Sequence, residues 1–246
     1  MIRYGAIVSD GSFPCNTAVL QGNMETVFRQ AKEAGYDCVQ LTIRDRSDYS
    51  AEELRMLSET HGVTISAMAT GRIYSVDGYS MASSDERNRQ TCLERLRDLA
   101  DFSVSIGRPA IVIGAVRGRY TDPAETLRYA ESIHSPCLHM YLDTMHLYNE
   151  GVDIAEAIRM YGPHSWQIDI SGENRTSPMD SAIDFSKVAE AIRASGFQGT
   201  LAFEMPPSPP EGSARKSLEY IRRLIERAAI DRYDHDLRLR CKQSRE

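Results

Sequence analysis

Short apolar runs alternate with segments of helical periodicity along almost the whole chain, and this alternation limits the fold more than any other feature. The runs at 3–9, 39–43, 63–69, 109–114, 138–143, 165–170 and 199–204 are strand-length, and the first three lead into Asp10-Gly11, Arg44-Asp45 and Thr70-Gly71. Between them lie helical patterns at 23–34, 50–60, 84–106, 123–133, 153–161, 184–195 and 213–228. In the first helix Met24, Val27, Phe28 and Ala31 share a face and Gly35 closes it. Ser50 and Glu53 have the spacing of a capping box for the second. Seven βα units in succession require a parallel sheet, and so many repeats favour a closed barrel over an open doubly wound sheet. No Gly-x-Gly-x-x-Gly follows the first strand, so nothing supports a dinucleotide fold.

The expected fold is therefore α/β, a TIM-type (β/α) barrel shortened to seven βα units. An eightfold barrel uses about 250 residues. This chain has 246 but also a long connection at 72–83 and a charged tail. We expect one barrel domain over 1–230 and a tail over 231–246 that is either a solvated helix extension or a frayed end. A long connection on a compact scaffold is usually functional.

The net charge of −6 gives phosphate backbones little to bind, so nucleic acid is not expected as a partner. No apolar run approaches the length that spans a bilayer, and no membrane partner is expected. The N-terminus lacks a cationic start followed by a long apolar segment. The five cysteines follow no zinc or redox spacing, and a reducing cytoplasm is the simplest reading.

Asp143, Asp169 and Glu204 each stand near the C-terminal end of an expected strand, the end where parallel barrels carry their chemistry. Three carboxylates converging there repel unless a cation or shared protons compensate. A divalent-metal site follows as the first hypothesis. Asp169 alternates with the apolar Ile168 and Ile170, which turns it toward the barrel interior. Asp143 has a second reading as a cap on the following turn. His139 alternates with Tyr141 and Asp143, so it too is a candidate for the interior. Arg117 and Arg119, at the end of the fourth strand, could grip an anionic sugar acid or phosphate, or pair with nearby acids. Arg72, in the long connection, reads best as a solvated loop cation.

Five stretches carry a family resemblance from Tyr4 to Ala229. They are Met68-Ala69-Thr70-Gly71-Arg72-Ile73-Tyr74 with Asp77-Gly78-Tyr79-Ser80, the run from Ile111 to Arg119, Leu142-Asp143-Thr144-Met145-His146, Asn174-Arg175 with Pro178, and Phe203-Glu204. Together they resemble the xylose-isomerase-like TIM-barrel superfamily, and within it the ketose 3-epimerases. The resemblance implies a sugar isomerase or epimerase acting next to the carbonyl of a ketose or keto-acid sugar, with bound Mn²⁺, Mg²⁺ or Co²⁺. It implies Asp143, Asp169 and Glu204 as metal ligands, Glu204 also as a catalytic base, and His146 and Arg175 as substrate contacts, with Arg117 as a further one.

Two departures from that pattern stand out. Asp169 falls where the family carries a metal histidine. The strand-five unit, which bears the first catalytic glutamate, has no counterpart between 119 and 138. With that ligand missing, weaker metal binding is implied and two-base epimerisation is put in doubt. The competing reading is a non-catalytic, degenerate barrel that binds sugar or serves as a partner subunit. A DNA-cleaving member of the same superfamily would need a cluster of zinc histidines, for which the six histidines here are poorly placed. Loss of a βα unit leaves a tighter seven-stranded barrel or a gap. A gap exposes strand edges that a second copy could cover, hence an expected homo-oligomer.

Overall fold

The structure is a computed structural model that describes residues 1–12, 15–118, 122–207 and 210–243. Arg119 lies outside the described residues. At the centre is β1 (Arg3–Asp10), paired in parallel with β3 (Cys38–Thr42) on one side and β8 (Thr200–Phe203) on the other. Beyond β3 come β4 (Thr64–Ala69) and β5 (Ala110–Val112); beyond β8 come β7 (Ser165–Ile170) and β6 (Met140–Asp143). A short β2 (Leu20–Gly22) pairs with the end of β1. Every pairing is parallel, so a helix returns the chain between successive strands of this curled sheet.

Among the described residues the sheet does not close. Its path runs β5-β4-β3-β1-β8-β7-β6, and β5 and β6 are its two edges. The missing strand-five unit therefore leaves a gap rather than a tighter barrel. Between the two edge strands the described residues form a 3-10 turn at Ala115–Arg117 and α5 (Pro123–Ser132), and α5 buries none of its residues fully. All three residues of β5 are likewise only half-buried.

Helix positions follow from local chemistry. Asn23 caps α1 (Met24–Ala34) through Thr26 N at 2.9 Å, and Gly35 ends it with φ 92°. Asp184 and Gly196 do the same for α8 (Phe185–Ser195), whose Phe185, Val188, Ala189 and Ile192 are buried. The outward strand residues Val8, Leu41, Met68, Ile168, Leu201 and Phe203 join these helix faces in one continuous core. Fully burying each such side chain stabilises the fold by about 1.5–3 kcal/mol.

The inner face differs in character. There Ile7 and Ala202 form a small apolar cluster with Ala18 of the loop that follows β1, with Cys15 packed against it, apart from the main core. The strand registers bring Gln40, Tyr141, Gln167 and Asp169 onto the same interior. Large apolar residues thus hold the helices on, while the interior is left polar.

Several expectations need correction. The second helix, α2 (Ala51–His61), has half of a capping box: Ser50 Oγ accepts from Glu53 N at 3.3 Å. The long connection opens with a short helix, α3 (Gly71–Ser75), and continues to α4 (Glu86–Ser105). Arg72 is buried in α3 at 7% exposure instead of solvated, close enough to the Tyr49 phenol to act on it electrostatically. α6 (Thr144–Asn149) starts directly after β6, ahead of α7 (Ile154–Tyr161). The last helix, α9 (Arg215–Gln243), runs on past 231, so the tail's backbone extends it through 243. No helix among the described residues is long and apolar enough to cross a membrane.

Candidate metal and proton-transfer centre

Strands β6, β7 and β8 present Asp143, Asp169 and Glu204 at their C-terminal ends. The register aligns Asp143 with Asp169 and Asp169 with Ala202, one pleat short of Glu204. Their carboxylate oxygens lie within 4.8 Å of one another, with both aspartates buried and Glu204 half-buried. No histidine shares this cluster, and among the described residues no other group of three potential ligands comes together.

A guanidinium sits among the three acids. Arg175 donates to Asp143 Oδ1 at 3.0 Å and Oδ2 at 2.8 Å, to Ser171 Oγ at 3.1 Å, and its Nη2 lies 3.0 Å from Glu204 Oε2. The two-point grip on Asp143 is the strong fork geometry of Arg with carboxylate. The backbone is bent to make it possible. Asn174 and Arg175 both take left-handed conformations, φ 55° and 62°, so the loop after β7 folds its side chain back into the barrel. Two consecutive non-glycine residues at positive φ are costly, and strain of this kind concentrates at functional sites.

The remaining contacts fix each acid. Asp143 also caps α6, accepting from Met145 N at 2.9 Å and His146 N at 3.3 Å, so its capping and cluster roles coexist. Asp169 Oδ1 accepts from Gln167 Nε2 at 2.6 Å, and the same amide reaches across the interior to Gln40 Oε1 at 2.7 Å. The Thr17 and Asp169 side chains lie close enough to Glu204 to favour its ionised form. Burial, then the charges of Glu204 and Asp143, hold the Asp169 carboxyl well above the usual range. Burial also pushes Glu204 up to about 7, against the pull of Arg175. Burial works against the Arg175 charge, but Glu204 and Asp143 outweigh it and keep the guanidinium more firmly protonated than usual. Ser9 Oγ, Thr42 Oγ1 and Gln167 Oε1 are buried nearby with no partner among the described residues.

The other expected site residues are more dispersed. His146 is exposed at the rim, its Nε2 3.7 Å from Asp143 Oδ2. Arg117 stands near Tyr141 and donates to Gly118 O at 3.0 Å. His139 is exposed rather than interior and stacks on Trp166, with ring centroids 5.6 Å apart. Next to Arg175 the mouth opens into a cavity of about 300 Å³ bounded by Asn174, Ser177, Met205, Pro206 and Pro207. The sequence reading did not pick out Gln40, Gln167, Thr17 or Ser171. Gln167 was within its reach, since it precedes Asp169 by one pleat on the same strand face.

A curled parallel sheet with acids at its strand ends defines a TIM-barrel-type protein. A family profile for xylose isomerase-like TIM barrels matches residues 28–128 and 116–224, and the chain belongs to that family. A D-psicose 3-epimerase of Enterocloster bolteae is 25% identical over 115 residues, which is 44% of this chain and 38% of the relative. The matched segment thus spans well under half the length of that relative. An L-ribulose 3-epimerase structure superposes with a TM-score of 0.67 at 17% identity, covering 96% of this chain and 98% of its own. A 3-keto-D-glucoside 4-epimerase from E. coli gives 0.69 at 16% identity, covering 88% and 98%. At these identities the structural likeness shows the shared fold.

Proposed function

We propose that this chain is a sugar isomerase or epimerase-type enzyme that moves a proton next to the carbonyl of a ketose or keto-acid sugar. The observation that carries this reading is the buried trio Asp143, Asp169 and Glu204 gathered around one guanidinium. Three carboxylates against one guanidinium leave two negative charges over, the charge of one divalent cation. Oxygen donors of this kind suit hard ions such as Mn²⁺, Mg²⁺ or Co²⁺. The residues present therefore fit a metal, with Asp143, Asp169 and Glu204 as its ligands. When bound, the ion supplies Lewis-acid polarisation of the sugar carbonyl.

The protein's own groups account for the rest. Glu204, with its proton affinity raised toward neutrality, is the residue that takes and returns the substrate proton. Thr17 and Asp169 lie beside it. Arg175 is held by Asp143 and Ser171 beside the mouth cavity, where it can meet a sugar oxygen, and Arg117 and His146 stand at the rim to do the same. Among the described residues no strand between β5 and β6 brings a second glutamate, so one-base chemistry is favoured: an aldose–ketose shift, or enolisation with exchange.

Relatives named as epimerases support a sugar substrate. A non-catalytic barrel is the alternative, favoured by the gap between β5 and β6 and by an aspartate where the family has histidine. Incubation with Mn²⁺, Mg²⁺ or Co²⁺ in D₂O across D-psicose, D-fructose, D-tagatose and L-ribulose separates the two. Deuterium entering next to the carbonyl is expected, with loss in Glu204→Gln. No exchange with any sugar and any of the three metals rules out the enzymatic reading.

A further inference from the structure

The gap between β5 and β6 is lined on the inside by a side chain that the mechanism above does not use. Tyr141 lies on β6 two residues before Asp143 and shares its inward face. Its ring crosses toward β5: Tyr141 Oη is 3.9 Å from the point where a Cβ on Gly114 would stand. Because β5 and β6 do not pair, this phenol stands where backbone from another strand would otherwise close the wall. A side chain at Gly114 would add bulk at this spot, and glycine leaves the space open.

The surroundings of the hydroxyl are those of the site itself. Asp169, Asp143, Arg117 and Glu204 all act on it electrostatically. Tyr141 is half-buried, and its oxygen is not sealed off as those of Ser9 and Thr42 are. Among the described residues its hydroxyl takes no hydrogen-bond partner. Buried phenols ordinarily find one. A phenol has an ordinary pKa of about 10 and is a neutral donor near pH 7. It cannot replace a carboxylate base, but it can hold an oxygen in place.

We propose that Tyr141 is a specificity-determining residue of the sugar site, donating a hydrogen bond to one oxygen of the bound ketose from the side left open by the missing strand. This rests on the sugar-isomerase reading and deepens it. Glu204 approaches from β8 and Arg175 from the loop after β7, while Tyr141 approaches from β6 across the gap. The sugar is thereby held on the side where β5 and β6 do not pair. A site built around a hydrogen bond to a particular oxygen also rejects analogues that lack it.

The test compares the full chain with Tyr141→Phe, each loaded with Mn²⁺. Exchange in D₂O is followed by NMR for D-psicose, D-fructose, D-tagatose and L-ribulose, and for singly deoxygenated D-fructoses. Removing the hydroxyl and keeping the ring should leave the thermal midpoint unchanged. It should lower kcat/KM by about tenfold to a hundredfold for the preferred sugar, mainly through KM. One deoxy-sugar, lacking the contacted oxygen, should be handled equally by both proteins. Should Tyr141→Phe not fold, Tyr141→Met takes its place. Kinetics within twofold of the parent for every sugar overturn the proposal and leave the sugar-isomerase reading standing. A wild-type protein inert toward all the sugars, with no saturation-transfer signal for any of them, overturns both.

Discussion

With no metal bound, raising the pH should destabilise this protein. Glu204 is pushed from an ordinary 4.5 to about 7 by burial, and Asp169 is displaced in the same direction. The folded state therefore holds a proton that the unfolded chain has already released. Stability from this source is complete below about pH 4.5 and is lost as pH climbs through about 7. A displacement of that size on a side chain 17% exposed corresponds to about 3 kcal/mol. Asp169, displaced in the same direction, adds to the loss. Urea unfolding in EDTA between pH 5 and 8 measures it, with the denaturant slope required to stay constant. Glu204→Gln removes the ionisation, so its profile should be flatter than the parent's and should cross above it near neutral pH. Mn²⁺ at a hundred times its dissociation constant should return about 2.7 kcal/mol to the wild type. Parallel profiles for the parent and Glu204→Gln, or a parent that gains stability from pH 5 to 7, would refute the charge arithmetic of the cluster.

Other outcomes are expected from the same geometry. Arg175→Leu leaves Asp143 and Glu204 without their internal cation and should cost about 3–5 kcal/mol at pH 8 in EDTA, recovered on adding Mn²⁺; chemical denaturation with and without metal reads this. Gln167→Leu strands the buried Gln40 carbonyl oxygen and removes a donor from Asp169, for a loss of about 1–3 kcal/mol by the same assay. Because β5 and β6 leave unpaired edges, light scattering after size exclusion should find a homo-oligomer, and a monomer at all concentrations counts against it.

The frame of this fold was legible because strand-length runs rich in apolar residues alternate with segments of helical period, and some helices carry recognisable ends, as Gly35 does for α1 and Ser50 for α2. The strand-end position of Asp143, Asp169 and Glu204 followed from the same pattern. Short elements escaped: β2, α3 and α6 are too brief for a period to show. The reach of Arg175 escaped as well, since it depends on two successive left-handed residues that no spacing reveals, although Asn174 is a residue type that tolerates that conformation. The Gln40–Gln167 contact joins residues 127 apart through barrel curvature. By sequence Tyr141 is one more strand residue, and its setting depends on β5 and β6 not pairing. Arg72 was misjudged because a cation in a long connection is ordinarily solvated, and here a short helix carries it inward.

Calorimetric titration of Mn²⁺ into EDTA-treated, dialysed protein at pH 7.5 bears most directly on the claim that three strand-end acids form a divalent-cation centre. The account predicts one equivalent bound with micromolar affinity and proton release, weakened at least tenfold in Asp143→Asn, Asp169→Asn and Glu204→Gln. Heat no tighter than millimolar, or affinity indifferent to all three substitutions, would contradict it.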